Sequence, residues 1–417
     1  MNDIRVAVES TAHAPGSPIG TICDSIGPVT EWLLGDGRRL RDTRLFLGEL
    51  SERLVAQGLP LWRTTFHIRT LHPLILSTGY YWRRDGEGPK QNHREHGIQL
   101  SPAYLNSPVR IVYEEGRPVR RRLDGPSARL DFPILAEIKA EGVTEYLALP
   151  VPFSDGKNAC LTLACDRPGG FTDREVEIAE ALVPLIGLVL EVQETHRIAR
   201  TRLDTYLGPR TGERVLRGQI KRGDVETIDA VLWYCDLRGF TELADSRPHD
   251  QIVALLNAYF ERMAEPVQRH GGEVLKFMGD AMLAIFPPAE DQGMPACNAA
   301  LSAAEAALAA MRSFNETWTA EGNPPLRFGI ALHVGEVAYG NIGAPDRLDF
   351  TVVGPAVNEI SRIEAMCRAL EQSLVISSAF AETARDSADR LVSLGRYALR
   401  GVRRPQELFT LDVPDDD

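Results

Sequence analysis

Residues 230–241 read AVLWYCDLRGFT, and residues 271–286 read GGEVLKFMGDAMLAIF. The first begins as an unbroken apolar run, Ala230 to Cys235, of the kind a strand buried on both faces requires. It ends on an acid, Asp236, followed by Leu237, Gly239, Phe240 and Thr241. The second opens with a glycine pair suited to stopping a helix. Two short strand-like runs follow, Glu273 to Phe277 and Ala281 to Phe286, joined by a tight turn at Met278, Gly279 and Asp280. Between the two stretches, His249 to His270 keeps Ile252, Leu255, Tyr259, Met263 and Val267 on one helical face. Beyond them lie an Ala-rich helix from Gln292 to Trp318 and a strand from Leu326 to His333. Strand, helix, strand, strand, helix, strand predicts an α+β unit of ferredoxin-like βαββαβ type.

Working outward, the N-terminal half has a different pattern. Residues 1–30, rich in Gly, Pro, Ser and Thr, read as a flexible tail. Glu31 to Gly58 suggests amphipathic helix through Leu33, Leu40, Leu47, Leu50 and Leu54. Leu61 to Leu71, Leu74 to Trp82, Glu145 to Pro152 and Cys160 to Cys165 read as strands. A Thr172-Asp173 cap opens a helix from Arg174 to about Arg202. Residues 31–200 therefore predict a second α+β domain. A charged, glycine-punctuated linker at 201–225 joins it to a C-terminal domain at 226–413, and the end of the helix makes that link helical.

Composition narrows the functional classes. The chain has 417 residues with a formal net charge of -12, and its acidity argues against nonspecific nucleic-acid binding. The longest greasy run, Ala181 to Leu190, carries Pro184 and Gly187 and is too short to cross a bilayer, so no membrane span is expected. Met1 to Gly20 shows no signal-peptide order. Six cysteines at scattered positions form neither a disulfide framework nor a zinc pattern. A soluble cytoplasmic protein is expected. Cys160 and Cys165, five apart on a strand, face opposite sides and read as core. His93 and His96 read as a surface loop.

Several residues could carry chemistry. Asp236 stands at the mouth of the buried strand, where it could hold a metal or merely cap a turn. Asp280 sits at the hairpin apex. Strand two is expected beside strand one, which would bring Asp280 close to Asp236. Two converging carboxylates call for a cation, and oxygen donors favour Mg²⁺ or Mn²⁺. Lys276 lies inside a mostly apolar strand, where the ordinary reading is a side chain snorkelling to solvent. Asn358 and Arg362 stand at i and i+4 on a helix beginning after Gly354 and Pro355, and could present an amide and a guanidinium to a phosphorylated ligand.

In order, these motifs strongly resemble the class III nucleotidyl cyclase catalytic domain: Asp-x-x-Gly-Phe-Thr at 236–241, Gly-Gly-x-x-x-Lys-x-x-Gly-Asp at 271–280, Asp-Phe-Thr-x-x-Gly at 349–354 and Asn-x-x-x-Arg at 358–362. The resemblance implies two divalent ions, Mg²⁺ or Mn²⁺, held by Asp236 and Asp280 with the Leu237 carbonyl as auxiliary ligand. It implies that Gly239, Phe240 and Thr241 approach the phosphates, and that Lys276 and Thr351 read the purine. Asn358 would orient the ribose and Arg362 stabilise the transferring phosphoryl group. A basic phosphate contact is expected near the last strand, with Arg403 taken for it and Arg400 and Arg404 as alternatives. Lys with Thr is the adenylyl pattern, so ATP is the implied substrate and cyclic AMP the product. Lysine can donate to adenine N1, and a threonine hydroxyl can accept from the 6-amino group. Guanylate cyclase, or a silent nucleotide-binding partner, remains as alternative. Because one domain carries both residue sets, the resemblance implies a homodimer with shared sites. Tyr146-Leu-Ala-Leu-Pro-Val-Pro, the apolar strand at Cys160, and Phe171-Thr-Asp-Arg-Glu before an apolar helix look like the end of a GAF sensor domain, implying that residues 31–200 form a GAF-like sensor with an unidentified small-molecule ligand.

Overall fold

The polypeptide winds around two separate β-sheets. The computed structural model describes residues 27–70, 75–126, 128–287, 296–384, 389–402 and 405–412. Most of the expected tail, and Arg403 with Arg404, lie outside them. The chain divides into two units, one ending at Arg202 and the other beginning at Leu203.

In the first unit, α1 (27–34) is followed by a single 3-10 turn at Gly37–Arg39 and then α2 (Thr43–Ala56). The single helix expected over Glu31 to Gly58 is thus interrupted. Gly35 and Gly37 break it, and Asp42 restarts it by accepting the Arg44 N–H. Next come β1 (Leu61–Arg69), β2 (Ile75–Arg83), β3 (Lys90–Glu95), α3 (Pro102–Leu105), α4 (Pro108–Glu115), β4 (Val119–Arg122), α5 (Pro133–Ala140), β5 (Glu145–Pro152) and β6 (Asn158–Cys165). The last element, α6 (Asp173–Leu207), runs into the second unit. The strands form one antiparallel sheet in the order β3-β2-β1-β6-β5-β4.

Both faces of this sheet are covered. On one, Phe66, Leu161 and Cys165 pack with Phe46 and Leu50 of α2 and Leu182 and Leu190 of α6. On the other, Tyr146, Ala148 and Cys160 pack with Val112 of α4 and Leu135 and Ile138 of α5. Cys160 and Cys165 therefore do face opposite sides and are both buried. His93, expected in a loop, lies in β3 opposite Thr78, whose hydroxyl is 3.2 Å from its Nδ1. Nothing in the wholly polar run Lys90 to Glu95 marks a strand; edge position lets it pair on one side while its side chains stay in water.

The second unit comprises α7 (Pro209–Leu216), β7 (Val225–Leu237), α8 (Phe240–Ser246), α9 (His249–Arg269), β8 (Glu273–Met278), β9 (Ala281–Phe286), α10 (Ala296–Ala320), β10 (Phe328–Ala344), β11 (Arg347–Val353), α11 (Pro355–Ala369), β12 (Leu374–Ser377), α12 (Ser378–Thr383), β13 (Leu391–Tyr397) and β14 (Gln406–Leu411). Sheet order is β13-β14-β12-β10-β7-β9-β8, with β11 folded back on β10. Here one expectation is corrected. The strand beside β7 is β9, the third of the βαββαβ set; the second, β8, lies at the edge. The crossover through α8 and α9 leaves a gap that the hairpin return fills. The hairpin tip still reaches the end of β7, because Cys235 pairs with Met282.

Residues of the expected linker pack inside this unit. The Thr211 N–H and hydroxyl donate to Glu273 Oε1 at 3.0 and 2.6 Å, and the Tyr339 hydroxyl donates to Glu273 Oε2 at 2.9 Å. Glu273 is only 4% exposed, so this carboxylate, anchored at the start of β8, holds α7 against the sheet through donors on both of its oxygens.

Candidate active site

The C-terminal end of β7 places the acid at 236 where the sheet meets water. Its neighbours Cys235 and Leu237 are buried, pointing to the core, so alternation turns Asp236 to the opposite face. Asp236 Oδ1 is buried and has no hydrogen-bond partner. Burial pushes its carboxyl up to about 7, and the neighbouring acids Asp280 and then Glu364 add to the shift. Asp280 is delivered by the two-residue turn between Met278 and Ala281, where Gly279 has φ of +66°. Leu237 buries its side chain in the core and ends the strand.

Glu364, on α11, is the acid that the sequence reading missed. It lies over Gly329 of β10, the register partner of Asp236. A Cβ at Gly329 would come 2.5 Å from Glu364 Oε1, so the glycine leaves the room the carboxylate occupies. Burial raises the Glu364 carboxyl; Arg238 opposes that and Asp280 adds to it. Its place two residues after Arg362 on a helix, turned inward, was the available signal. Three carboxylates thus gather at one sheet edge with Arg238 as the nearby cation, and Arg238 is itself committed to the Gln372 carbonyl.

A second group forms further along the unit. Lys276 of β8 stands 3.9 Å from Asp349 Oδ2 on β11. Asp349 and Thr351 alternate onto one face of that strand, and the Thr351 hydroxyl is buried without a partner. Lysine and threonine therefore belong to one polar patch, to which the structure adds Asp349. Asn358 and Arg362 are both exposed, one turn apart on α11. Among the described residues, no hydrogen bond or ion pair links Asp236 or Asp280 to Lys276, Asn358 or Arg362. Gly239 has φ of +72° and precedes α8; Phe240 packs partly against the core and Thr241 is exposed. The expected phosphate contact Arg403 lies outside the described residues, while Arg400 is exposed.

Residues 224–412 match the model of the adenylate and guanylate cyclase catalytic domain. The second unit is therefore a catalytic domain of the adenylyl and guanylyl cyclase family, class III. An uncharacterised protein of Mycobacterium tuberculosis is 33% identical over 233 residues, 56% of this chain and 41% of the relative. Another from the same strain is 33% identical over 222 residues, 53% and 37% respectively. The chain thus spans about two fifths of the curated relatives it matches. Among solved structures, the guanylyl cyclase Cya2 shares 30% identity, with 46% of this chain and 97% of that one aligned at a TM-score of 0.40. The adenylyl cyclase CyaB from P. aeruginosa shares 29%, with 46% and 98% aligned, also at 0.40.

Cyclases of this class depend on divalent metal, and the donor set suits one. An orphaned buried carboxylate oxygen beside a second carboxylate, at the end of a strand, offers hard oxygen ligands.

Proposed function

We propose that this protein is an adenylate cyclase, converting ATP to 3′,5′-cyclic AMP and pyrophosphate in a homodimer regulated through its N-terminal unit. The observation that carries the catalytic part is the unpartnered Asp236 carboxylate facing Asp280. Two ionised carboxylates so placed repel unless a proton or a cation sits between them, and the family's substrate, a triphosphate, brings a cation to such a site. A divalent ion bound there, Mg²⁺ or Mn²⁺, would supply a more acidic ribose 3′-hydroxyl and a neutralised triphosphate.

The chain's own groups do the rest. Asp236 and Asp280 hold the metal, with the Leu237 carbonyl beside them. Arg362 meets charge developing on the α-phosphoryl oxygens, and Asn358, one turn earlier, orients the ribose for in-line attack. Lys276 donates to adenine N1, and the unpartnered Thr351 hydroxyl accepts from the 6-amino group. Guanine would set a protonated N1 against the lysine. That mismatch favours ATP over GTP. That one domain carries both residue sets supports a site completed by a second copy, with Asp236 and Asp280 from one protomer and Lys276, Thr351, Asn358 and Arg362 from the other. The two-faced antiparallel sheet of the first unit supports the sensor role, as a GAF-like domain.

Purified full-length protein should form cyclic AMP from ATP with Mg²⁺ or Mn²⁺ and little cyclic GMP from GTP. Cyclic GMP as the main product would overturn the reading of Lys276 and Thr351. Absence of either product at saturating Mn²⁺ would sink the catalytic reading.

A further inference from the structure

The first unit holds a partly open cavity of about 540 Å³ between one sheet face and α3, α4 and α5. That volume falls in the range of sites for small organic ligands, roughly 300–1,000 Å³. Its floor is unusual for an interior surface. Along β1, the residues Arg63, Thr65, His67 and Arg69 alternate onto this face, a polar set that would ordinarily look into water. Helices cover it in part, with Arg69 left exposed, and the polar side chains do not fill the space.

Charge is the second observation. Arg63, Arg69 and Arg94 line the cavity with a single acid, Glu137, in a chain whose overall charge is negative. Among the described residues none of the three arginines forms a salt bridge. Arg69 donates to the Tyr104 hydroxyl at 2.7 Å and lies 4.4 Å from the Tyr113 ring centre; Arg63 lies 5.4 Å from that of Tyr81. Burial, then Arg63 and Arg94, push the His67 imidazole down to about 4, so the face carries fixed positive charge beside a neutral ring.

The third observation concerns fit. The Tyr113 hydroxyl is buried at this wall with no hydrogen-bond partner. Gly79 of β2 sits opposite His67, and a Cβ there would meet the Tyr81 hydroxyl at 2.5 Å and Asn92 Oδ1 at 2.7 Å. The glycine lets Tyr81 lie across its own strand to donate to Asn92 Oδ1 at 3.1 Å, which shapes the cavity floor. The remaining walls include the flat or aliphatic side chains of Tyr146, Ile134 and Ile138, with Asn106, Ser107 and Thr162 adding polar groups.

We propose that this cavity binds a small organic anion with a planar conjugated body, its acid group held by Arg63 and Arg94 and its body lodged against Tyr81, Tyr113 and Tyr146. Two guanidiniums without carboxylate partners select an anion, and ring and aliphatic walls favour an apolar body over a bare oxyanion. The site lies wholly within the first unit and does not depend on what the second unit catalyses.

Isothermal titration of the full-length protein tests this with three probes: 1-naphthoate, its neutral isostere 1-naphthamide, and inorganic phosphate. Naphthoate should bind saturably, at least tenfold more tightly than naphthamide, and phosphate should not displace it. Arg63→Gln and Arg94→Gln should each weaken naphthoate at least tenfold with the melting temperature unchanged. Tyr113→Phe, which keeps the volume and removes the orphaned hydroxyl, should weaken it severalfold. Equal binding of naphthamide, displacement by phosphate at matched concentration, unaltered binding by both arginine variants, or no naphthoate binding at millimolar concentration would each overturn the proposal.

Discussion

The two units concentrate charge of opposite sign, and they do so by different means. In the first, strand alternation lays Arg63 and Arg69 on a sheet face that lines a cavity, and β3 adds Arg94. In the second, the ends of β7 and of the β8–β9 hairpin bring Asp236 and Asp280 to one edge, with Glu364 reaching in from a helix. Neither cluster is neutralised by its own neighbours. Glu273 shows what neutralisation looks like in this molecule: a buried acid with donors on both oxygens. The lesson is that burial alone does not mark a site. Clustered charge left without partners does.

The largest expected effect tests the acidic edge. Asp236→Asn should cost about 10³-fold or more in cyclase turnover, since the metal supplies several kcal/mol to the transition state. In metal-free buffer the same variant should melt slightly higher than the parent, because one of two repelling carboxylates is gone. Mn²⁺ should raise the melting temperature of the parent and leave the variant unmoved. A variant that binds Mn²⁺ normally by calorimetry would break the assignment.

Arg362→Ala should lower turnover by about 10²–10³-fold, the usual cost of one lost transition-state donor. It also asks whether the two residue sets meet across a dimer. Co-expressed with Asp236→Asn, it should recover about a quarter of parental activity, since half the dimers would be mixed and each would keep one intact site of two. No recovery, with mixed dimers demonstrated by differential tagging, would place both sets in one chain's site.

Glu273→Ala should destabilise the second unit by about 3 kcal/mol, because three donors lose an ionised acceptor, whereas Glu273→Gln should cost less. Chemical denaturation measures both. A near-neutral alanine variant would show that the carboxylate is not holding α7.

The smallest effect probes the basic cavity through His67. Facing it are Arg63 on its own strand, Arg94 on β3, Tyr81 on β2, Tyr146 on β5 and Glu137 on α5. Its folded value, about 4, lies below the ordinary 6.5, so the unfolded chain takes up the proton first as pH falls. The stability this neutral ring contributes is complete above pH 6.5 and is lost as pH drops toward 4, by at most about 3 kcal/mol. His67→Gln should flatten that part of the stability profile. An unchanged slope between pH 6.5 and 4 would show that the imidazole titrates in the folded state as it does in water.

Much of the second unit was legible because its pattern is apolar and periodic. β9 occupies the residues expected of it, and α9 differs by a single residue at its end. What escaped reading lacked such a pattern. The β10–β11 hairpin is rich in glycine and polar residues, and β3 has no apolar member at all. The sequence placed Asp280 near Asp236 for partly the wrong reason, since strand order is set by a crossover that local pattern does not encode. Glu364 and Asp349 went unassigned because a helix face or strand face identifies its functional members only once the opposing element is known. The Arg63-to-Arg69 alternation reads as a wetted surface, and only the three helices over it make it a cavity wall.

Glu273 has one more implication. Detaching α7 by small degrees is unfavourable, because the first bond broken leaves an ion in a dry place with fewer donors. The helix is therefore either seated or fully released. Since Glu273 and Lys276 share β8, whatever acts on α7 would reach the patch of Lys276 and Asp349 as a toggle rather than a dial.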